Sequence, residues 1–296
     1  GSYYLIKVLS ENLKLHRPDL PIIVGGPAPT FSDRLILEDC PEIDICVRGE
    51  GEVTALEIVN SLKNGTDLSS VLGISYRDKG QIIRTPERPY PKKIDMFPSP
   101  YLENVIPASY GEDVGLLTTR GCGYRCSFCL FAAMSGYKVR YHDIERLIAE
   151  LKVITNAASS RKLDVTVHDD SFAVNPRRVR KFCERLIAEG INEKLEFSAE
   201  LRADTVSADL LKQMYQAGFR KIAFGLESGV PEILHRIAKV RTSPDSNNYK
   251  PEKAFLELVK DRVQQARDIG FLVELSIILG LPGETYEQGC ETLEYV

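Results

Sequence analysis

From Gly115 onward, short apolar strands alternate with amphipathic helices, and this alternation constrains the fold more than any other feature of the chain. The strands read as Gly115–Arg120, Leu163–His168, Leu195–Glu200, Arg220–Leu226 and Phe271–Gly280. Between them lie helical stripes such as Ile144, Leu147, Ile148 and Leu151, and Val179, Phe182, Leu186 and Ile187. Ser207 is placed to cap one helix, and Gly190, Gly218 and Gly270 to end three of them. A strand followed by a helix and another strand gives parallel pairing, with chemistry gathered at the C-terminal ends of the strands. Five strands fall short of a closed eight-stranded barrel.

The segment before Arg88 has a different grammar. A helix with Tyr4, Ile6, Leu9 and Leu13 stops at Pro18. Pro21–Val24 and Asp44–Val47 are short strands running into the turns Gly25-Gly26 and Gly49-Glu50. A helix with Ala55, Ile58, Val59 and Leu62 follows, and a hairpin is expected around Asp78-Lys79-Gly80. Helix, strand, helix, strand and helix in this order make the back half of a doubly wound, Rossmann-like domain. Six prolines between Pro86 and Pro107 mark a linker. The expected organisation is α/β throughout: a partial Rossmann-like domain over 1–85, a proline-rich linker over 86–112 and a partial (β/α) barrel over 113–296.

Charge excludes some partners. With 38 Lys+Arg against 42 Asp+Glu, the net charge of −4 supplies no footprint for nucleic acid. No apolar run reaches the roughly 20 residues of a membrane span. Residues Gly1-Ser2-Tyr3-Tyr4 lack the layout of a secretory leader, and seven cysteines are an odd number. The expectation is a cytoplasmic protein whose thiols serve a metal, a redox centre or the core.

Three of those thiols stand together. The first strand of the alternating segment empties into Gly121-Cys122-Gly123-Tyr124-Arg125-Cys126-Ser127-Phe128-Cys129, a C-x3-C-x2-C loop. Soft thiolates in one loop suit an iron–sulfur cluster or zinc. Structural zinc normally closes with four ligands, and no second cysteine pair exists here, since Cys40, Cys46, Cys183 and Cys290 are scattered. A non-catalytic zinc module therefore stands as the distant alternative. Cys183 lies on an apolar helical stripe, and none of His16, His142, His168 and His235 has ligand spacing.

The cysteine loop, with an aromatic before its last cysteine, resembles that of the radical S-adenosylmethionine (SAM) superfamily. The strand ends His168–Phe172, Phe197–Arg202, Phe224–Gly229 and Ile278–Thr285 resemble those of the branch with an N-terminal cobalamin (B12)-binding domain, and the two glycine turns resemble that domain's second half. The resemblance implies that Cys122, Cys126 and Cys129 ligate a [4Fe-4S] cluster whose fourth iron binds SAM. It implies Phe128, Ile278 and Gly280 near the adenine. Ser198, Arg202 and Glu227 are implied for the ribose and methionyl carboxylate, and Asp170 for the amino group. Gly25, Gly26, Gly49 and Glu50 would face cobalamin, if cobalamin is bound. The implied reaction is reductive cleavage of SAM to a 5′-deoxyadenosyl radical. It would serve cobalamin-dependent C-methylation or, alternatively, a cobalamin-free cyclisation, rearrangement or epimerisation in natural-product or lipid metabolism. The implied partners are a small-molecule or peptide substrate and an electron donor such as flavodoxin or ferredoxin.

Blander roles compete for the same residues: Asp169-Asp170 as a helix N-cap, Arg202 and Glu227 as an ion pair, Gly280 as a turn. The sequence also departs from the family pattern. The Asp-x-His-x-x-Gly motif that would bring a histidine to cobalt is absent, Gly123 replaces the loop's usual proline, and a sixth barrel strand is not visible. Two incomplete domains are expected, with an exposed parallel edge that an oligomer would cover. Thr242–Lys250 reads as a loop that could act as a lid.

Overall fold

The computed structural model describes residues 2–105, 113–157, 162–241 and 249–296. They divide into two compact units, Gly1–Lys92 with Ala133–Gly136, and Lys93–Ala132 with Tyr137–Val296.

In the first unit, helix α1 (Ser2–His16), strand β1 (Ile23–Val24), helix α2 (Pro27–Asp39), strand β2 (Ile45–Val47) and helix α3 (Glu52–Asn64) follow one another as expected. Strands β3 (Ile74–Asp78) and β4 (Gln81–Arg84) form the hairpin. Lys79 and Gly80 both have positive φ, 47° and 81°, the backbone of a two-residue turn that matches strand twist. The sheet order is β1-β2-β3-β4, with β1 and β2 parallel and the later pairs antiparallel. Alternation along β2 divides the core: Cys46 packs with Ile36, Leu37, Cys40 and Ile43 on one face, Ile45 and Val47 with Ile58, Val71 and Ile74 on the other. Both cysteines are completely buried, as core thiols.

The second unit holds strands β5 (Asp113–Leu116), β6 (Thr119–Arg120), β7 (Arg140–Tyr141), β8 (Leu163–Val167), β9 (Leu195–Leu201), β10 (Phe219–Glu227) and β11 (Leu272–Ile277). Its helices are α4 (Leu130–Met134), α5 (Ile144–Ala157), α6 (Pro176–Ala188), α7 (Ala208–Gln216), α8 (Pro231–Arg236), α9 (Lys250–Ile269) and α10 (Tyr286–Tyr295). The main sheet, in order β11-β10-β9-β8-β5, is parallel throughout. Each new strand joins on the same side of the last, which is the progression of a barrel wall rather than of a doubly wound sheet. One apolar core joins the strands to their helices, with Phe172, Phe182, Phe197, Phe219 and Phe224 fully buried in it. Ser207 accepts from Leu210 N as the cap of α7, and Cys183 is completely buried.

The expected first strand is in fact two. Asp113–Leu116 pairs with β8, whereas Thr119–Arg120 leaves the sheet and pairs antiparallel with β7. The cause is Asp169, whose carboxylate accepts from Thr118 N at 2.6 Å and Thr119 N at 2.9 Å, satisfying donors that a continuing strand would have used. The β6–β7 pair thereby brackets the cysteine loop at its base. Within the proline-rich stretch Ile94–Met96 forms a 3-10 turn with Ile94 fully buried. Residues 106–112 of that stretch and residues 242–248 of the expected lid lie outside the described residues. Among the described residues no helix is long and apolar enough to cross a membrane.

Candidate active site

The C-terminal ends of β8, β9 and β10 and the loop after β6 open into one cavity of about 650 Å³. Cys122, Cys126, Phe128, Cys129, Asp170, Ser198, Arg202 and Glu227 all line it. Four side chains from one loop and four from three strand ends thus meet although they are separated by up to 105 residues in sequence (227 − 122). The topology makes this possible, because parallel strands deliver all their C-terminal ends to one face.

The loop itself is tightly held. Cys129 N donates to Cys126 O at 3.1 Å, Ser127 N to Ile237 O at 2.9 Å, and Gly121 N to Asp170 Oδ2 at 2.8 Å. Asp169 and Asp170 therefore clamp the loop; the cap of α6 is Asn175, which accepts from Arg178 N. Burial pushes the Asp169 carboxyl up, against the pull of the donors from Thr118 and Thr119.

Arg202 and Glu227 do not pair with each other. The Arg202 guanidinium forks onto Asp204 at 3.0 and 2.8 Å, donates to Lys239 O at 2.9 Å, stacks 3.8 Å over the Tyr124 ring and points Nη1 at Cys126 Sγ, 3.9 Å away. Burial works against its charge, but Asp204 outweighs burial and raises its pKa. The fork expected for a methionyl carboxylate is thus filled by Asp204. Glu227 instead pairs with Lys239 at 2.9 Å, with the two side chains 11% and 4% exposed. Glu227 sits at φ 69°, after a register shift between Gly225 and Glu227. A carboxylate residue in that region stores about 1–3 kcal/mol, a pattern that gathers at functional sites. A Cβ on Gly225 would stand 2.7 Å from Glu227 Oε1 and 2.9 Å from Lys239 Nζ, so a larger residue there must shift the ends of that pair.

Ser198 donates to Thr166 Oγ1 at 3.2 Å along the cavity floor. Ile278 and Gly280, expected beside the adenine, do not line the cavity. Ile278 N closes onto Glu227 O at 2.9 Å, and exposed Gly280 donates to Glu284 Oε2 at 2.6 Å, a turn stabilised locally. The sequence reading missed Lys239, Tyr124, His168, Glu200, Lys221 and Glu274, which also line the wall. A lysine inside the apolar run Ile237-Ala238-Lys239-Val240 was the available signal for the first of these.

The donor set discriminates between metals. Structural zinc normally closes with four protein ligands. The three cysteines border one cavity. Three soft thiolates on one cavity, with no fourth cysteine in its lining among the described residues, suit a [4Fe-4S] cluster that keeps one iron open. Burial pushes the Cys122 and Cys126 thiols up, while Lys239 and Arg202 favour the thiolate at Cys126.

In the first unit, Gly26 and Gly49 have φ 101° and 73°, and a Cβ on either would meet nothing within 4 Å. Thr30 ties the two turns together, donating to Gly26 O at 2.7 Å and accepting from Gly49 N at 3.0 Å. The strand ends thus present open backbone, which suits a broad planar ligand. Gly49, but not Gly25, Gly26 or Glu50, also lines a cavity of about 270 Å³ with Arg48, Arg84 and Arg88. His16 is the single histidine of residues 1–92, and its Nδ1 lies 2.9 Å from Asn12 O.

A curled parallel sheet with a three-cysteine loop after its first strand defines a class of half-barrel iron–sulfur protein. The chain belongs to the radical SAM superfamily, whose model matches residues 116–296, and a B12 binding domain model matches residues 2–59. It is 30% identical over 296 residues to the "Uncharacterized methyltransferase PH0819" of Pyrococcus horikoshii, covering 99% of this chain and 60% of that protein. It is 30% identical over 242 residues to an anaerobic magnesium-protoporphyrin IX monomethyl ester cyclase of Synechocystis sp., covering 79% of this chain and 47% of the cyclase. The radical SAM methyltransferase TsrM from Kitasatospora setae, solved with tryptophan and a SAM analogue, shares the fold at TM-score 0.77 and 19% identity over 98% of this chain and 56% of that one. The chain spans about half to three-fifths of the length of these curated relatives.

Proposed function

We propose that this chain carries the core of a radical SAM enzyme that transfers a methyl group from cobalamin to an unactivated carbon. The observation that carries this reading is the convergence of Cys122, Cys126 and Cys129 with Asp170, Ser198, Arg202 and Glu227 on one cavity, in a chain whose other unit is of the B12-binding type. Cys122, Cys126 and Cys129 would hold the [4Fe-4S] cluster. The bound cluster and SAM together supply a carbon-centred radical when one electron is added.

The residues of the chain do the rest. Phe128 offers an aromatic face to a purine, Ser198 a hydroxyl, and Asp170 and Glu227 carboxylates to an ammonium or hydroxyl. Lys239 pairs with Glu227 and orients it, and Arg202 donates toward the Cys126 sulfur while its own charge is balanced by Asp204. Ile278, bonded to Glu227 O through its backbone, and Gly280 in the turn beyond it would border the adenine only if that turn closes over the cavity. The turns at Gly25, Gly26, Gly49 and Glu50 would meet cobalamin.

We further assign residues 1–85 to the B12-type domain, 86–112 to the linker and 113–296 to the barrel. The substrate is a small molecule or peptide, the electron donor a flavodoxin or ferredoxin, the compartment the cytoplasm, and an oligomer would cover the sheet edge at β1.

Likeness to the Synechocystis cyclase favours one other reading, a radical ring closure on the same half barrel. Anaerobic reconstitution with iron and sulfide, followed by SAM and dithionite, tests both, since either requires 5′-deoxyadenosine. Uptake of hydroxocobalamin by the reconstituted protein then separates them: stoichiometric binding supports methyl transfer, and none contradicts it.

A further inference from the structure

The shell of the cysteine loop is cationic in a protein that is acidic overall. From Val114 to His142 there is no Asp or Glu, while Arg120, Arg125, Lys138 and Arg140 fall in that stretch. Arg241 joins them in space, donating to Gly123 O at 3.0 Å with its guanidinium 5.0 Å from the Tyr124 ring. Arg125 is held in the same way, 4.2 Å over the Tyr137 ring. Arg125, Lys138 and Arg241 are exposed, and among the described residues none of the three takes part in an ion pair. The cations inside the cavity differ: Arg202, Lys221 and Lys239 are neutralised by Asp204, Glu274 and Glu227. Among the described residues the charge of these three is therefore uncompensated, and Arg125 adjoins the half-buried Cys126 in the chain. Next to Cys129 the apolar Leu130 is 50% exposed, whereas Phe131, 54% exposed, also lines the cavity.

We propose that this face docks an acidic one-electron carrier protein. The inference rests on the reading of the cavity as a radical SAM site, which requires an electron from outside. Cations without an ion-pair partner steer an anionic partner and orient it without demanding a large interface, as suits a transient redox encounter. Arg125 is the chain neighbour of one proposed ligand and Leu130 of another, so a docked carrier would lie against the cluster loop itself. With reduced flavodoxin as the carrier, the flavin passes from hydroquinone to semiquinone and the cluster gains that one electron.

The test uses the anaerobically reconstituted protein and flavodoxin. Binding of oxidised flavodoxin should weaken steeply with added salt. The Arg125→Glu/Lys138→Glu variant should bind at least about tenfold more weakly at low salt. Formation of 5′-deoxyadenosine driven by limiting reduced flavodoxin should fall with it, whereas dithionite-driven formation and the cluster's absorbance should not change. Unaltered flavodoxin affinity in the variant overturns the proposal. So does heparin binding as tightly as flavodoxin, since the face would then hold any polyanion. If the double variant also loses its cluster, Lys138→Glu alone decides, because Lys138 lies outside the cysteine loop. If wild-type protein yields no 5′-deoxyadenosine with dithionite, the radical SAM reading fails, and the binding measurement still decides the docking face.

Discussion

Lys239 Nζ lies 2.9 Å from Glu227 Oε1 inside the cavity bordered by the three cysteines, and the Lys239 carbonyl accepts from Arg202 at 2.9 Å. One residue thus fixes the carboxylate that ends β10 and the guanidinium that follows β9. Removing only one partner of so buried a pair strands a charge, at a cost of about 3–5 kcal/mol. Lys239→Met should lower stability in urea unfolding by about that amount, and adding Glu227→Gln should restore most of it. A double variant no better than the single one would show that the pair is not coupled.

Cluster assembly should depend on three thiols and ignore four. Cys122→Ala, Cys126→Ala and Cys129→Ala should each lose most reconstituted iron and sulfide and abolish 5′-deoxyadenosine. Cys40→Ala, Cys46→Ala, Cys183→Ala and Cys290→Ala should keep both. The completely buried Cys40, Cys46 and Cys183 should cost stability instead, about 1 kcal/mol for each lost core group. Equal iron in all seven variants contradicts the assignment.

Gly225→Ala places a methyl 2.7 Å from Glu227 Oε1 and must push the carboxylate or Lys239 aside. SAM affinity, measured by equilibrium dialysis, should drop by about tenfold, equivalent to about 1.4 kcal/mol, while cluster content stays at the wild-type level. An unchanged affinity would remove Glu227 from the SAM site.

Arg202 reaches the Cys126 sulfur at 3.9 Å, and if Cys126 ligates the proposed cluster, that cation would stabilise its reduced, more negative state. Arg202→Met should therefore shift the midpoint potential downward by tens of millivolts, the scale of outer-sphere tuning. Redox titration followed by electron paramagnetic resonance reads this directly, and a potential that stays put would confine Arg202 to holding Asp204 and Lys239.

Acid should loosen the first unit through Asp33. Burial alone would raise its pKa, but the Ser75 hydroxyl, Arg84 and Arg48 outweigh burial and lower it. Because the folded value lies below the unfolded value of about 3.9, ionised Asp33 contributes stability above that pH. The contribution is lost as pH falls below it and through the folded value. Unfolding midpoints measured from pH 6 to pH 3 should fall in the wild type, and fall less in Asp33→Asn from a lower start. Parallel curves would show that another group controls the acid limb.

Much of the scaffold was legible because it rests on local rules. Alternating strand and helix periods foretold the five-stranded parallel sheet, and Ser207, Gly190, Gly218 and Gly270 marked helix ends that the structure retains. The β3–β4 hairpin followed from Lys79-Gly80 in the same way. What misled the reading was non-local. Gly115–Arg120 has the composition of one strand, yet Asp169, fifty-one residues beyond Thr118, takes two of its backbone donors and turns the chain out of the sheet.

The sequence by itself determined the class of fold and the family, and it put three thiols in one loop, since each is written in spacing within a short stretch of chain. The pairing of charges was decided only in three dimensions. Arg202 and Glu227 look like complements, but Asp204 is two residues from Arg202 and Lys239 is brought to Glu227 across α8, so each is satisfied elsewhere. Spacing predicts what lies along a strand or a helix; which buried charges meet depends on where separate strand ends come to rest. That placement also turned a run of basic residues around the cysteines into one exposed face.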